Sequence, residues 1–275
     1  MSQECARFIG FIAEPILPTP ATANRSFNGS LVLQPGVYDY NDVRYDCTAE
    51  GLYTWFNPLI DTTNRIMYSG DIYALLSGLA WLCAHGTADE GLSDKAGRAR
   101  TSVLRMRCGF VAPFVQSQLS SVGEQSRIVR ILTADTPNTY DNGHVAIEVF
   151  HGGKWKLWDI SNNCYFSKAG EHLSLKEMTQ AAASDDFHIE KIAGDSYSVE
   201  PFTSSGQFDV TAFARIKLAN LRGWVRRIYQ IPGIDRGAEV WWLMTPATQH
   251  REQWVWSLQS NYRTRDLSTW TAAFY

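Results

Sequence analysis

The sequence has no excess of one charge: 25 lysines and arginines stand against 28 aspartates and glutamates, a formal net charge of −3. With no basic run either, nucleic acid and anionic membrane surfaces are poor matches as main partners. No apolar stretch approaches the roughly 18 residues of a membrane span. Glu4, Arg7 and Glu14 interrupt the start of the chain where a secretory leader needs an apolar run. There is no CxxC pair, and the five cysteines (5, 47, 83, 108 and 164) are scattered and odd in number. That pattern is neither a disulfide framework nor a zinc site, so the expected compartment is reducing and cytoplasmic, with at least one free thiol of consequence. Internal repeats and low-complexity tracts are absent too. What is present is a chain of 275 residues, 45% hydrophobic and 19% charged, with ten tryptophans, twelve tyrosines and thirteen phenylalanines. Such a composition excludes a disordered, collagenous or coiled-coil chain and leaves one large or two small globular domains.

Residues 1–65 are rich in turn signals: Pro15, Pro18 and Pro20, then Asn28-Gly29 and Pro35-Gly36. Short apolar runs such as Leu31-Val32-Leu33 between them fit strands or extended wrapping segments, and the whole reads as an arm packed on the main body. The core is expected over 66–200, and 201–275 as a Trp-rich extension of the same domain. Asp71 is a plausible cap for a helix running to Gly86, and Ser93-Asp94 for another over 95–107 that runs into Cys108-Gly109. FVAPFVQSQLSSVG continues as a helix stopped at Gly123. Pro113 lacks an N–H and would cost this helix a backbone hydrogen bond unless the helix starts late, which would leave Cys108 in the preceding turn. RIVRIL (127–132), HVAIEVF and WKLWDI are strand-like, the last two joined at Gly152-Gly153 in a hairpin turn of the primed type. Further on come a helix over 209–221 and two Trp-rich strands, AEVWWLM and EQWVWSLQ. Helices followed by strands point to the α+β class.

Catalysis by a thiol needs a base to generate the thiolate and a third group to orient that base. Cys108 stands where one helical run meets the next, and a helix N-terminus there would favour a thiolate through its unpaired N–H groups. His144 follows at the start of a strand, and Asp159 near the end of the partner strand. If Gly152 and Gly153 form a two-residue loop, opposing positions sum to 305 and Asp159 faces Ala146. His144 and Asp159 are then diagonal neighbours on one face, within reach of each other's side chains. A loop one residue longer would place them on opposite faces. The carboxylate would fix the imidazole tautomer and leave its other nitrogen for Cys108.

Arg107-Cys108-Gly109 at a helix start, then LSSVGEQSRIVRIL, GHVAIEV and GKWKLWD, resembles the transglutaminase-like superfamily, a branch of the papain-like fold. The resemblance implies an α+β core with the nucleophile helix packed on an antiparallel sheet. It also implies Cys108 as nucleophile, His144 as general base and Asp159 as its orienter. The implied activity is acyl transfer or hydrolysis at an amide or ester carbonyl through a thioester, by a transglutaminase-like acyltransferase, amidohydrolase or peptidase. Arylamine N-acetyltransferases share the length and the Cys–His–Asp order, but RMRCGFVAP lacks the residues expected around their cysteine. The substrate would be a peptide, a protein or a small amide or ester, with an amine as a possible acceptor. The chemistry calls for no cofactor and no metal, and no acidic loop resembles a calcium site. The alternative is a non-catalytic scaffold of the same type binding a peptide or glycan.

The plainer readings stand beside these. Cys5, Cys47, Cys83 and Cys164 read as inert residues, with Cys164 a conceivable second thiol at the rim. A metal site from His144, Glu148 and His151 fails because the third residue points away from the other two on a strand. His85, His172, His188 and His250 read as surface or satisfied residues. The stripes Trp254, Trp256, Leu258 and Trp241, Leu243 read as core, or as an aromatic-lined acyl or sugar pocket. The arginines of 98–107 and 222–227 read as solvated helix faces, with Arg226-Arg227 beside Trp224 able to grip an anion.

Overall fold

The computed structural model describes residues 7–8, 36–40, 43–47, 53–56, 64–68, 72–81, 83–99, 104–121, 123–136, 142–192, 220–258 and 263–275. Their class is α+β. They fall into two compact units, one within 1–107, 117–123 and 192–211, the other within 108–116, 124–191 and 212–275.

In the first unit, strands β1 (Arg7–Phe8), β2 (Gly36–Tyr40), β3 (Val43–Cys47), β4 (Tyr53–Phe56) and β5 (Asn64–Tyr68) form an antiparallel sheet in the order β1-β5-β4-β3-β2. Helix α1 spans Ile72–Trp81, short of the expected end at Gly86, because Cys83–Ala84 leave it as strand β6. The expected cap, Asp71, lies outside the described residues. The helix expected over 95–107 is corrected as well. Only Lys95–Ala99 is helical (α2), and Leu104–Arg105 form β7, parallel to β6. Leu104 and Met106 are both fully buried while Arg107 is exposed, an alternation of period two rather than 3.6. Asp89 holds this corner: its Oδ2 accepts from the Arg105 backbone N–H at 2.7 Å, and its own N–H donates to the Arg105 carbonyl at 3.1 Å. Arg107 donates to Glu90 from both Nε and Nη2 at 2.6 Å. The arginines of 98–107 therefore do not form one solvated helix face.

Helix α3 runs Cys108–Ser121 with Pro113 inside it, so the helix starts at Cys108, as expected, and not later to spare the proline. A proline in a helix clashes with the carbonyl four residues earlier, here that of Gly109. Gly109 is exposed, and a side chain on it would meet nothing within 4 Å. Its carbonyl can tilt to water, and the helix keeps Cys108 as its first residue.

The second unit is built on one nine-stranded sheet. Its members are β8 (Ser126–Leu132), β9 (Gly143–His151), β10 (Lys154–Asp159), β11 (Cys164–Lys168), β12 (Glu171–His172), β13 (His188–Lys191), β14 (Ile231–Arg236), β15 (Glu239–Leu243) and β16 (Arg263–Arg265). The order is β12-β11-β10-β9-β8-β14-β15-β16, with β13 also paired to β11; within this sheet only β15 and β16 run parallel. Helices α4 (Leu175–Ser184), α5 (Leu221–Ile228), α6 (Glu252–Leu258) and α7 (Leu267–Phe274) complete the unit. The helix expected over 209–221 lies outside the described residues except for Asn220 and Leu221, where α5 begins. Strand β14 pairs with β8 and β15 with β14, so the last third of the chain is woven into the sheet.

One sheet face carries the main core. Val129, Ile131, Ala146, Leu157, Phe166 and Ile234 pack there with Met178 and Ala181 of α4, Val225 and Ile228 of α5, and Trp270 of α7. A smaller cluster joins Leu132, Ile231, Val240 and Trp242 to Val255 of α6. EQWVWSLQ, strand-like in its alternation, is helical instead. Val255 is the buried residue, while Trp256 between it and the helix end is 42% exposed. Tryptophans two apart cannot share a helix face, and the Glu252 carboxylate instead accepts from Trp256 Nε1 one turn on at 3.3 Å. Trp256, Gln249, His250, Glu252 and Gln253 line an open cleft of about 520 Å3. Leu258 is also exposed, so the expected core stripe 254–258 is not one.

Candidate active site

The β9–β10 hairpin turns at Gly152 and Gly153, with φ +63° and +82°. Both residues lie in the left-handed region that the primed two-residue turn requires and that glycine adopts without penalty. The register is the expected one: Lys154 pairs with His151 and Trp158 with Ile147. On the other side of β9, His144 pairs with Ile131 and Gly143 with Leu132. After Asp159 the chain makes a single 3-10 turn, Ile160–Asn162, closed by Asn163 at φ 53°, and returns so that Cys164 pairs with Asp159. That turn replaces the strand continuation in which Ser161 would have faced His144.

His144 Nε2–H donates to Asp159 Oδ1 at 2.8 Å. The imidazole also shares a hydrogen bond with the Cys108 side chain. With Nε2 committed to the carboxylate, Nδ1 is the nitrogen left for the thiol. His144 is 5% exposed and Asp159 fully buried, while Cys108 is half-buried at the start of α3. The structure therefore brings together all three residues singled out in the sequence. Burial disfavours the imidazolium, but the Asp159 carboxylate and the Cys108 sulfur, by charge and by hydrogen bond, outweigh it. The imidazole is raised to about 9.

Among the described residues, Ser161, Asn162, Tyr229 and Trp224 also stand against the pair. Ser161 Oγ–H donates to Asp159 Oδ1 at 3.2 Å, and Asn162 Nδ2–H to Oδ2 at 2.6 Å. Tyr229 O–H, from the end of α5, donates to Oδ2 at 2.9 Å. The Trp224 ring stands edge-on to His144 at 5.0 Å between centroids. Asp159 thus accepts hydrogen bonds from His144, Ser161, Asn162 and Tyr229 at a fully buried position. The polar run Ser161-Asn162 directly after Asp159 was a local signal for two of these donors. Tyr229, 70 residues away, gave none.

Cys164 stands opposite Asp159 on β11, beside the site, and the remaining candidates are placed elsewhere. Cys83 and Cys164 are buried thiols outside any disulfide, and burial pushes the Cys83 thiol up to about 12. Cys5 and the side chain of Cys47 lie outside the described residues. Glu148 is bound to Arg127 through Oε2 at 2.6 Å, and its Oε1 accepts from the Leu175 N–H and from Tyr275 O–H. His172 is buried and donates from Nε2 to the Leu157 carbonyl at 2.7 Å. Arg222 and Arg226 both pair with Asp185. Among the described residues no helix is long and apolar enough to cross a membrane, and no group of three His, Cys, Asp or Glu side chains could hold a metal ion. No family model, curated protein or solved structure matches the chain.

Proposed function

We propose that the chain is a cysteine-dependent acyl-transfer or hydrolytic enzyme with a papain-like core of transglutaminase type. The observation that carries the reading is the ordered chain of contacts from Cys108 through His144 to Asp159, with Cys108 at the N-terminus of a 14-residue helix. The order of elements, nucleophile helix, then base strand, then orienter strand, supports the architecture.

The chemistry follows from the geometry. His144 takes the Cys108 proton at Nδ1, and the resulting imidazolium is held by Asp159 at Nε2. The thiolate attacks the carbonyl carbon of an amide or ester. The oxyanion is met by the Cys108 backbone N–H, one of the first four of α3 that have no partner within the helix. The C–N or C–O bond then breaks, the imidazolium proton passes to the leaving group, and a thioester remains on Cys108. Water or an amine, deprotonated by His144, attacks the thioester and releases the thiol.

Alkylation by iodoacetamide at pH 7, followed by peptide mass mapping, tests this. Cys108 labels fast in the native chain and at least about tenfold slower in His144→Ala, whereas Cys83 and Cys164 label only on unfolding. Slow labelling of Cys108 that is indifferent to His144→Ala would sink the reading.

A further inference from the structure

We infer that Tyr229 is a positioning residue of this thiol site: through its hydroxyl it fixes the direction of the Asp159 carboxylate and tempers that carboxylate's hold on the His144 proton. The inference rests on the thiol reading above and assigns part of the site to the C-terminal third of the chain.

Tyr229 is fully buried, and its mount is rigid. It ends α5, its backbone N–H donates to the Val225 carbonyl at 2.9 Å, and the following residue donates to Ile228 at 2.8 Å. The ring packs edge-on against Phe166 at 5.2 Å and lies 6.4 Å from the His144 ring. A side chain so confined presents its hydroxyl in one direction, and that direction is Asp159 Oδ2. Oδ2 is the oxygen His144 does not use. With Tyr229 and Asn162 both bound there, the carboxylate cannot rotate to exchange its oxygens, so Oδ1 stays on the imidazole.

The same bond has an electrostatic consequence. A donor on Oδ2 draws charge away from Oδ1 and makes the carboxylate a weaker acceptor for Nε2–H. Among the described residues, the titratable groups facing His144 are Asp159 from β10, Cys108 from α3 and Tyr229 from α5; Ser161, Asn162 and Trp224 are neutral. Tyr229 itself also feels Cys164, the residue opposite Asp159. Loss of its hydroxyl therefore strengthens the pull of Asp159 on the imidazolium. A tyrosine present only to fill space would leave that pull unchanged.

The test is the titration of His144 by NMR in the full chain, its signal assigned by its loss in His144→Ala. Tyr229→Phe keeps the ring and removes the hydroxyl. The expected result is a His144 midpoint higher by about half a pH unit or more, roughly threefold in proton affinity, with the upper break in the Cys108 alkylation rate moving alongside it. A midpoint that stays put or falls, in a variant with native near-ultraviolet dichroism, overturns the inference. Should Tyr229→Phe not fold, 3-fluorotyrosine at position 229 supplies a stronger donor of nearly the same size. It must move the midpoint down, and an unmoved midpoint overturns the inference equally. The two readings fail separately. A wild type whose Cys108 ignores His144 defeats the thiol chemistry, whereas a reactive wild type whose midpoint ignores Tyr229 defeats only the positioning role.

Discussion

Asp159 accepts from His144 on one carboxylate oxygen and from Tyr229 on the other, at 2.8 and 2.9 Å. With Ser161 and Asn162 the group meets donors on every side. An acceptor-only side chain is therefore required there, and the amide of asparagine is not a near substitute. Its NH2 would point either at the Asn162 NH2, which cannot accept, or at His144 Nε2. The second choice forces the imidazole proton onto Nδ1, the nitrogen facing Cys108, and removes the base.

Asp159→Asn should accordingly be almost as damaging as Asp159→Ala. The expected outcome is a loss of about 2–4 kcal/mol in urea unfolding and at least about tenfold slower alkylation of Cys108 at pH 7. Near-normal alkylation in Asp159→Asn would show that His144 takes its orientation from elsewhere.

Stability should pass through a maximum near pH 6.5, set by two buried histidines of opposite sign. His144 is raised to about 9, so the native state holds its proton more tightly than the unfolded chain does. Its contribution is complete below about 6.5 and is lost as pH rises from there through 9. His172 is lowered to about 4, first by burial and also by Lys156 and Lys154, against its hydrogen bond to Leu157. Its contribution is present above about 6.5 and is lost as pH falls towards 4. Each limb amounts to as much as about 3 kcal/mol. Urea titrations at pH 4.5, 6.5 and 9 measure both limbs. His144→Gln should flatten the alkaline limb and His172→Gln the acid one, and the reverse assignment would refute both signs.

Glu148 lies on the same face of β9 as His144, two pleats further on, yet its role is structural. It ties Arg127 to the start of α4 and to Tyr275, and the Arg127 guanidinium lies 3.9 Å over the Trp155 ring. Removing one member of a buried pair leaves the other uncompensated. Glu148→Gln should cost about 3 kcal/mol in urea unfolding while the Cys108 alkylation rate in the folded protein stays within about twofold of wild type. A large drop in that rate would mean the two ends of the face are coupled.

What the sequence revealed and what it hid follow from the range of the interactions. The hairpin register was readable because Gly152-Gly153 admits one tight turn, and the period of two then carries His144 and Asp159 onto one face. The 95–107 stretch misleads because its arginines and alanine favour helix, while the buried positions Leu104 and Met106 alternate. The 252–258 stretch misleads the other way, since alternating tryptophans imitate a strand although the residue that packs is Val255. Tyr229 was invisible for a different reason. Its role exists only because β14 pairs with β8 and carries the end of α5 back over Asp159, a long-range pairing that no local pattern announces.

Gly143 is where the strand pairing and the chemistry meet. A side chain there would put its Cβ 2.7 Å from the Ile131 carbonyl oxygen and 2.7 Å from a Leu132 methyl. Backbone cannot yield as a flexible side chain can, so β8 and β9 must separate at the end that carries His144. Because His144 pairs with Ile131 itself, the imidazole shifts with the strand. Gly143→Ala should lose about 1–3 kcal/mol of stability, as overpacking does, and also weaken the dependence of Cys108 alkylation on His144. The decisive measurement is the ratio of alkylation rates with and without His144→Ala, taken in both backgrounds. A ratio unchanged by Gly143→Ala would mean that the close approach of β8 to β9 serves the sheet alone and does not set the position of the base.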